Sequence, residues 1–247
     1  MKTKMLAVQM LIFLLLGGEI GCLSQVGLRR FATPVGPAEV QGEGMIPQDD
    51  GSIVFTRDRL EITVRVLEDE YLNRQFAANS VQGARSTNPY TFGDWKPWGQ
   101  DWTPRRFTVL LVKVKNYFYP KVLLEPDKIS ISTSNGRSYR VLDLGLLDDY
   151  FSPYLRSYAG QDYKMYRETV DRLLRTLYRP DYVFSGQETT GYVVLPVLHQ
   201  DVEDFTVHVP GVGVRFDYRS APLEQLDLRY QFTREVYRSR HPREAAQ

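Results

Sequence analysis

Three kinds of side chain in this 247-residue chain have types and spacing that could do chemistry: a lone cysteine, two short acidic clusters and three histidines. Cys22 follows Lys2, Lys4, an apolar run from Met5 to Leu16 and the small residues Gly17, Gly18 and Gly21. With no second cysteine a disulfide framework is excluded, and attachment of a lipid is the chemistry this thiol suits. Asp148-Asp149 and the set Asp201, Glu203, Asp204 offer carboxylates of the kind used in glycoside hydrolysis or calcium binding. Neither follows the EF-hand pattern, and acidic clusters in turns are ordinarily just solvated. His199, His208 and His241 are dispersed, with no zinc-ligand spacing, His-Glu-x-x-His helix or Gly-x-Ser-x-Gly elbow around them. His208 alternates with Val207 and Val209 and is expected to face solvent. The expectation is a protein that is not an enzyme and carries no metal or cofactor.

Two lysines hold the first residues on the cytoplasmic side while a short apolar stretch enters the membrane during export. A spanning helix needs about 20 consecutive apolar residues, whereas the segment from Met5 to Gly18 contains Gln9 and is soon followed by Glu19. Cleavage before Cys22 therefore fits better than a permanent anchor. These residues resemble the bacterial lipoprotein signal, in which a thiol next to a small residue is acylated and becomes the new N-terminus. Gly21-Cys22 matches that pattern, while Glu19 stands where the family usually places an apolar residue. The resemblance implies a signal peptide over 1–21 and a membrane-anchored lipoprotein of the bacterial cell envelope, held through the N-terminal lipid on Cys22. Leu23, in place of the aspartate that retains such proteins in the inner membrane of enteric bacteria, favours the outer membrane. The alternative is an ordinary signal peptide cut elsewhere, with Cys22 discarded or left as a free thiol.

Removing residues 1–21 takes away Lys2, Lys4 and Glu19 and turns the net charge of +1 into a neutral body. That balance argues against nucleic-acid binding, which needs clustered positive charge to displace counterions. Residues 22–51 are rich in Gly and Pro and poor in large apolar groups, so they read as a flexible tether reaching roughly 30 Å. Residues 52–234 read as one domain, and 235–247 as a basic tail that with Arg234, Arg238, Arg240 and Arg243 is expected to be solvated, or else to contact anionic lipid or an acidic partner.

Within the domain the dominant period is two. Leu60, Ile62, Val64 and Val66 alternate with polar residues, and Phe107 to Val114 is almost continuously apolar, the mark of a central strand. Further strands are expected near 128–132 and 138–142 around Asn135-Gly136, at 191–197, at 205–209 and 212–218 either side of a Pro210-Gly211 turn, and at 226–232. Ser152-Pro153 predicts a short helix over 152–159, and Tyr163, Tyr166, Val170, Leu173, Leu174 and Leu177 a longer one ending at Arg179-Pro180. Together these predict an all-β fold, an antiparallel β-sandwich with a helical insertion over about 146–179.

Val112-Lys113-Val114-Lys115-Asn116, Leu124-Glu125-Pro126 with Ile129, Asn135-Gly136-Arg137-Ser138-Tyr139, and Ser185-Gly186-Gln187-Glu188 with Gly191-Tyr192-Val193-Val194-Leu195-Pro196 follow one another in an order. Over 107–232 that order is similar to the immunoglobulin-like accessory domains of bacterial lipoproteins. The resemblance implies an immunoglobulin-like sandwich and a scaffolding or protein-binding role, with an envelope protein as partner.

Two aromatic groups are candidate surfaces. Tyr90, Phe92, Trp95, Trp98 and Trp102 share one loop that holds all three tryptophans, suited either to capping an end of the sandwich, to anchoring a partner or to stacking on a glycan. Tyr150, Tyr154 and Tyr158, spaced by four, would form one stripe of a helix, either packed on the sheet or offered as an interface.

Overall fold

The computed structural model describes residues 28–153 and 161–243, the side chains of 161 and 162 excepted. The signal segment 1–21, Cys22, Tyr154, Tyr158 and residues 244–247 lie outside the described residues.

The described chain is mostly β. One antiparallel sheet runs β11 (Gln187–Leu195), β6 (Thr108–Asn116), β5 (Leu60–Leu67), β4 (Ser52–Arg57), β3 (Met45–Pro47). The other runs β2 (Gly36–Pro37), β13 (Pro222–Thr233), β12 (Asp204–Phe216), β8 (Ser130–Thr133), β9 (Ser138–Arg140). Their facing side chains share one core: Ile62, Val64 and Val112 from the first sheet, and Ile131, Val207 and Tyr230 from the second, are each fully buried. Burying each such aliphatic side chain contributes about 1.5–3 kcal/mol. The Tyr230 hydroxyl, carried across the sandwich, donates to the Ile62 carbonyl at 2.9 Å. That bond satisfies a polar tip that would otherwise be stranded.

A second apolar layer covers the outer face of the first sheet. Leu72 of helix α1 (Asp69–Gln75), Leu147 and Phe151 of α2 (Leu144–Phe151) and Leu173 of α3 (Gln161–Thr176) pack with Val109, Val194 and Tyr90. This second layer explains the apolar run in β6: Leu110 faces the sandwich core while Val109 faces the helices. Farther along, the outward positions Lys113 and Lys115 are solvated and pair with Glu188 and Glu61, both at 2.8 Å. No helix among the described residues is long and apolar enough to cross a membrane.

Four local features differ from expectation. Residues expected to be tether supply β2, β3 and β1 (Arg29–Ala32), and β1 pairs with β14 (Val236–Ser239) from the expected tail. The partners lie some 200 residues apart in sequence, so no local pattern announces the pairing; Thr33 N–H, for example, donates to the Glu235 carbonyl. The Pro210-Gly211 step is a bulge inside one long strand, not a turn. Pro210 falls beyond the end of β8 pairing at His208, where a missing N–H leaves no ladder bond unmade, and Gly211 takes φ +66°. A further helix lies at 144–151, before the one expected over 152–159: Asp143 is its N-cap, accepting from Leu146 N–H at 2.8 Å, and Ser152 closes it, while the expected helix falls beyond Pro153 on residues outside the described ones. Finally, β7 (Lys121–Val122) and β10 (Val183–Phe184) form a small ribbon at the end of the sandwich where β6 finishes.

Candidate functional site

The tryptophan loop is built on a buried polar knot. Asn88 has no exposed surface; its carboxamide donates to Ser80 Oγ at 2.8 Å and accepts from Tyr90 N–H at 2.9 Å. Gly93 sits at φ +60°, where a Cβ would fall 2.3 Å from the Ser80 carbonyl oxygen, so only glycine lets the loop lie this close. The Asp94 N–H donates to that same carbonyl at 2.8 Å, and the Thr91 hydroxyl bonds Asn73 on α1.

This scaffold disperses the five aromatics. Tyr90 is fully buried in the helical layer, ringed by Phe76 and Tyr192, with its hydroxyl 2.5 Å from Thr176 Oγ1 on α3. Burial pushes its pKa above the ordinary phenol value. Phe92 packs on half-buried Trp95, and the Arg106 guanidinium lies 4.3 Å over the Phe92 ring. Trp102 is half-buried edge-on against Phe31 of β1 at 5.5 Å and donates through Nε1 to Gln100. Trp98 alone is fully exposed. The loop is therefore a cap over much of its length, with one indole in solvent.

Of the tyrosine stripe only Tyr150 is described. It is 44% exposed and packs on Phe107 and Phe151, both at 4.9 Å between ring centroids.

The carboxylates and histidines are held apart in separate pairs. Asp148 accepts from the Tyr166 hydroxyl. Asp201 pairs with Arg137 at 2.7 Å, which holds its carboxyl below the usual range, while its other oxygen is buried without a partner. His199 bonds the Tyr139 hydroxyl at 2.9 Å, His241 pairs with Asp101 at 3.0 Å, and His208 meets Ser132 Oγ at 2.6 Å. That last hydroxyl–imidazole pair lies on the outer, half-buried face of the second sheet, as the alternation around His208 predicts. Desolvation and then the charge of Arg229, directly across on β13, hold His208 below its ordinary pKa. The imidazole thus faces a cation where a nucleophile's base would need an orienting carboxylate. Among the described residues no group of three His, Cys, Asp or Glu side chains could hold a metal ion.

A different concavity emerges at the free edge of β11. The outward carbonyl of Tyr192 accepts from Tyr178 N–H at 2.9 Å, and that of Val194 from Leu142 N–H at 2.8 Å, so two crossing segments clasp the edge. Between them lies a cavity of about 520 Å³ whose walls include Pro126, Leu142, Leu144, Leu174, Leu177 and Tyr192. Its ionisable lining beyond the two tyrosines is Asp127, Asp143 and Arg179, and Asp143 is already committed to capping α2. The signal in the sequence was the Leu173-Leu174 doublet: Leu173 is fully buried beneath α3, while Leu174, 46% exposed, borders the cavity. A stripe read at helical spacing places both in one core.

Buried charge gathers near α1. Glu68 accepts from Val35 N–H at 3.0 Å and pairs with Arg105. Its half-buried neighbour Asp69 is pushed up to about 6 by desolvation, against the opposing pull of Arg105. Arg234, expected in solvent with the tail arginines, is instead buried, because its guanidinium donates to the Val202 and His199 carbonyls at 2.7 and 2.6 Å.

Compared with known protein families, curated proteins and solved structures, the chain matches none.

Proposed function

We propose that the chain is a lipid-anchored cell-envelope protein, an immunoglobulin-like sandwich with a non-catalytic, partner-binding role. The observation that carries the binding role is the β11-edge cavity. Its size suits one or two large apolar side chains, its walls are mainly Leu, Val, Pro and Tyr, and no serine, cysteine, histidine or lysine lines it. Concave, mostly apolar sites with a few polar groups are where proteins take up ligands. An apolar segment of an envelope protein is the occupant this chemistry recognises. The anchor rests on Cys22 and the segment before it.

Exposed Trp98 supports a second use, stacking on an envelope glycan, but Trp95 and Trp102 are engaged elsewhere and do not extend it into a platform.

The test is affinity purification of the membrane-extracted full chain carrying Leu144→Glu and Leu174→Glu, both part-exposed positions that tolerate charge. The expected result is loss of the co-purifying protein with unchanged circular dichroism. The same partner profile in wild type and variant overturns the reading. Loss of peptidoglycan retention in Trp98→Ala alone supports the glycan use instead.

A further inference from the structure

Four exposed arginines, Arg29, Arg30, Arg238 and Arg240, lie on or next to the β1–β14 ribbon, and among the described residues none of them makes an ion pair. Arg30 and Arg238 are direct cross-strand partners. Like charges opposite one another on a two-stranded ribbon oppose its formation, so this pairing signals an anion that stands outside the protein. Among the described residues the nearby acidic groups do not neutralise it, since Glu235 is taken by Arg243 and Asp101 by His241, each at 3.0 Å.

Aromatic rings accompany the charge. Arg29 lies 5.8 Å over the Trp102 ring, Trp102 packs on Phe31, and Phe31 packs on Tyr237 at 6.0 Å. Fully exposed Trp98 stands four residues before Trp102. Arginine beside tryptophan and tyrosine is the composition of the water–lipid boundary, where rings sit at headgroup depth and cations meet anionic lipid.

Distance names the occupant. The described residues begin at Leu28, one residue before β1, and only six peptide links separate Cys22 from Leu28. Fully extended they reach about 20 Å. A lipid at Cys22 would therefore keep the ribbon end of the sandwich next to the bilayer rather than well clear of it.

We propose that the β1–β14 ribbon, with Trp102 and Trp98, is a bilayer-facing surface that binds anionic lipid headgroups and orients the sandwich on the membrane. This rests on the lipid-anchor reading above and adds the face turned toward the lipid.

The experiment uses the full chain, extracted from membranes and reconstituted in vesicles of phosphatidylethanolamine with or without phosphatidylglycerol, each carrying a lipid brominated near the headgroup. Quenching of tryptophan fluorescence reports docking. Quenching is expected only with phosphatidylglycerol, and the docked-to-undocked ratio should fall about 25-fold in Arg30→Gln/Arg238→Gln, at about fivefold for each charge removed. Arg240→Gln, outside the paired strands, should lose about fivefold and guards against a ribbon that fails to form. Equal quenching on both vesicle types, or no change in either variant, overturns the proposal. Release of the quenching by soluble polyphosphate at concentrations equivalent to the lipid overturns it in favour of a free polyanion. The mass of the N-terminal peptide separates the two readings: an unacylated peptide with quenching intact removes the anchor and keeps the face, and an acylated one without quenching does the reverse.

Discussion

Gly191 of β11 lies directly against the backbone of Tyr178, so that a Cβ at Gly191 would stand 2.5 Å from the Tyr178 Cα. Main-chain atoms on both sides cannot move aside as a flexible side chain would. The Tyr178 N–H bond to Tyr192 depends on this approach, and it forms one clasp of the β11 edge.

Gly191→Ala should therefore force that clasp open. Overpacking of this kind costs about 1–3 kcal/mol, to be read as a lower midpoint in urea. Because the clasp walls the cavity, partner recovery should fall with it, whereas Gly186→Ala, open around its Cβ but at φ +84°, should lose stability and keep binding.

Asn116 is fully buried at the end of β6, donating to the Tyr119 and Val183 carbonyls at 2.7 and 2.9 Å and accepting from Tyr119 N–H at 2.9 Å. It fastens the 117–120 turn to β10. Asn116→Ala leaves several buried backbone groups without partners, and thermal unfolding should show a loss of about 2–4 kcal/mol. Asn116→Asp should do no better, since it loses both donated bonds.

Tyr90 and Thr176 join the tryptophan loop to α3. Tyr90→Phe should cost about 1 kcal/mol and Tyr90→Ala about 3–5 kcal/mol. A double-mutant cycle with Thr176→Val should show coupling between the two hydroxyls, and the absence of coupling would place the contribution of Tyr90 in its ring alone.

Asp69 gives a pH dependence with a definite sign. Its folded pKa of about 6 lies above the ordinary carboxyl value of 3.8, so between those values the folded protein holds a proton that the unfolded chain has released. Stability at this site is full below about pH 4 and declines as pH rises through 6. Asp69→Asn should remove that slope and raise stability at pH 7 by about 1–2 kcal/mol, less than the full shift implies because the group is partly solvated. Denaturant midpoints from pH 4.5 to 7.5 measure it. Asp201, held low by Arg137, works in the opposite direction, losing its contribution only as pH falls through its depressed value.

The strand pattern was legible wherever one face meets the core and the other meets water. Leu60, Ile62, Val64 and Val66 all face inward in β5, and β6 is central as its composition requires. Asn116, met in the sequence only as part of a motif, turns out to be the knot at a strand end. What escaped was decided by distant partners. Nothing within residues 29–32 tells of residues 236–239, and the Pro210-Gly211 step reads as a turn unless the end of β8 is known. In the candidate site the tryptophan loop was visible as composition, but the polar knot at Asn88 and Ser80 settles which rings it buries. The β11-edge cavity was invisible because its walls come from four separated stretches of chain.

Pairing the first described strand with the last has a consequence for biosynthesis. Residues 29–32 emerge early and have no strand partner until residues 236–239 have been made, so a polypeptide that has not reached them carries an unzipped edge. Such an edge presents unpaired backbone groups, and it closes only once residues 236–239 are available to pair with it.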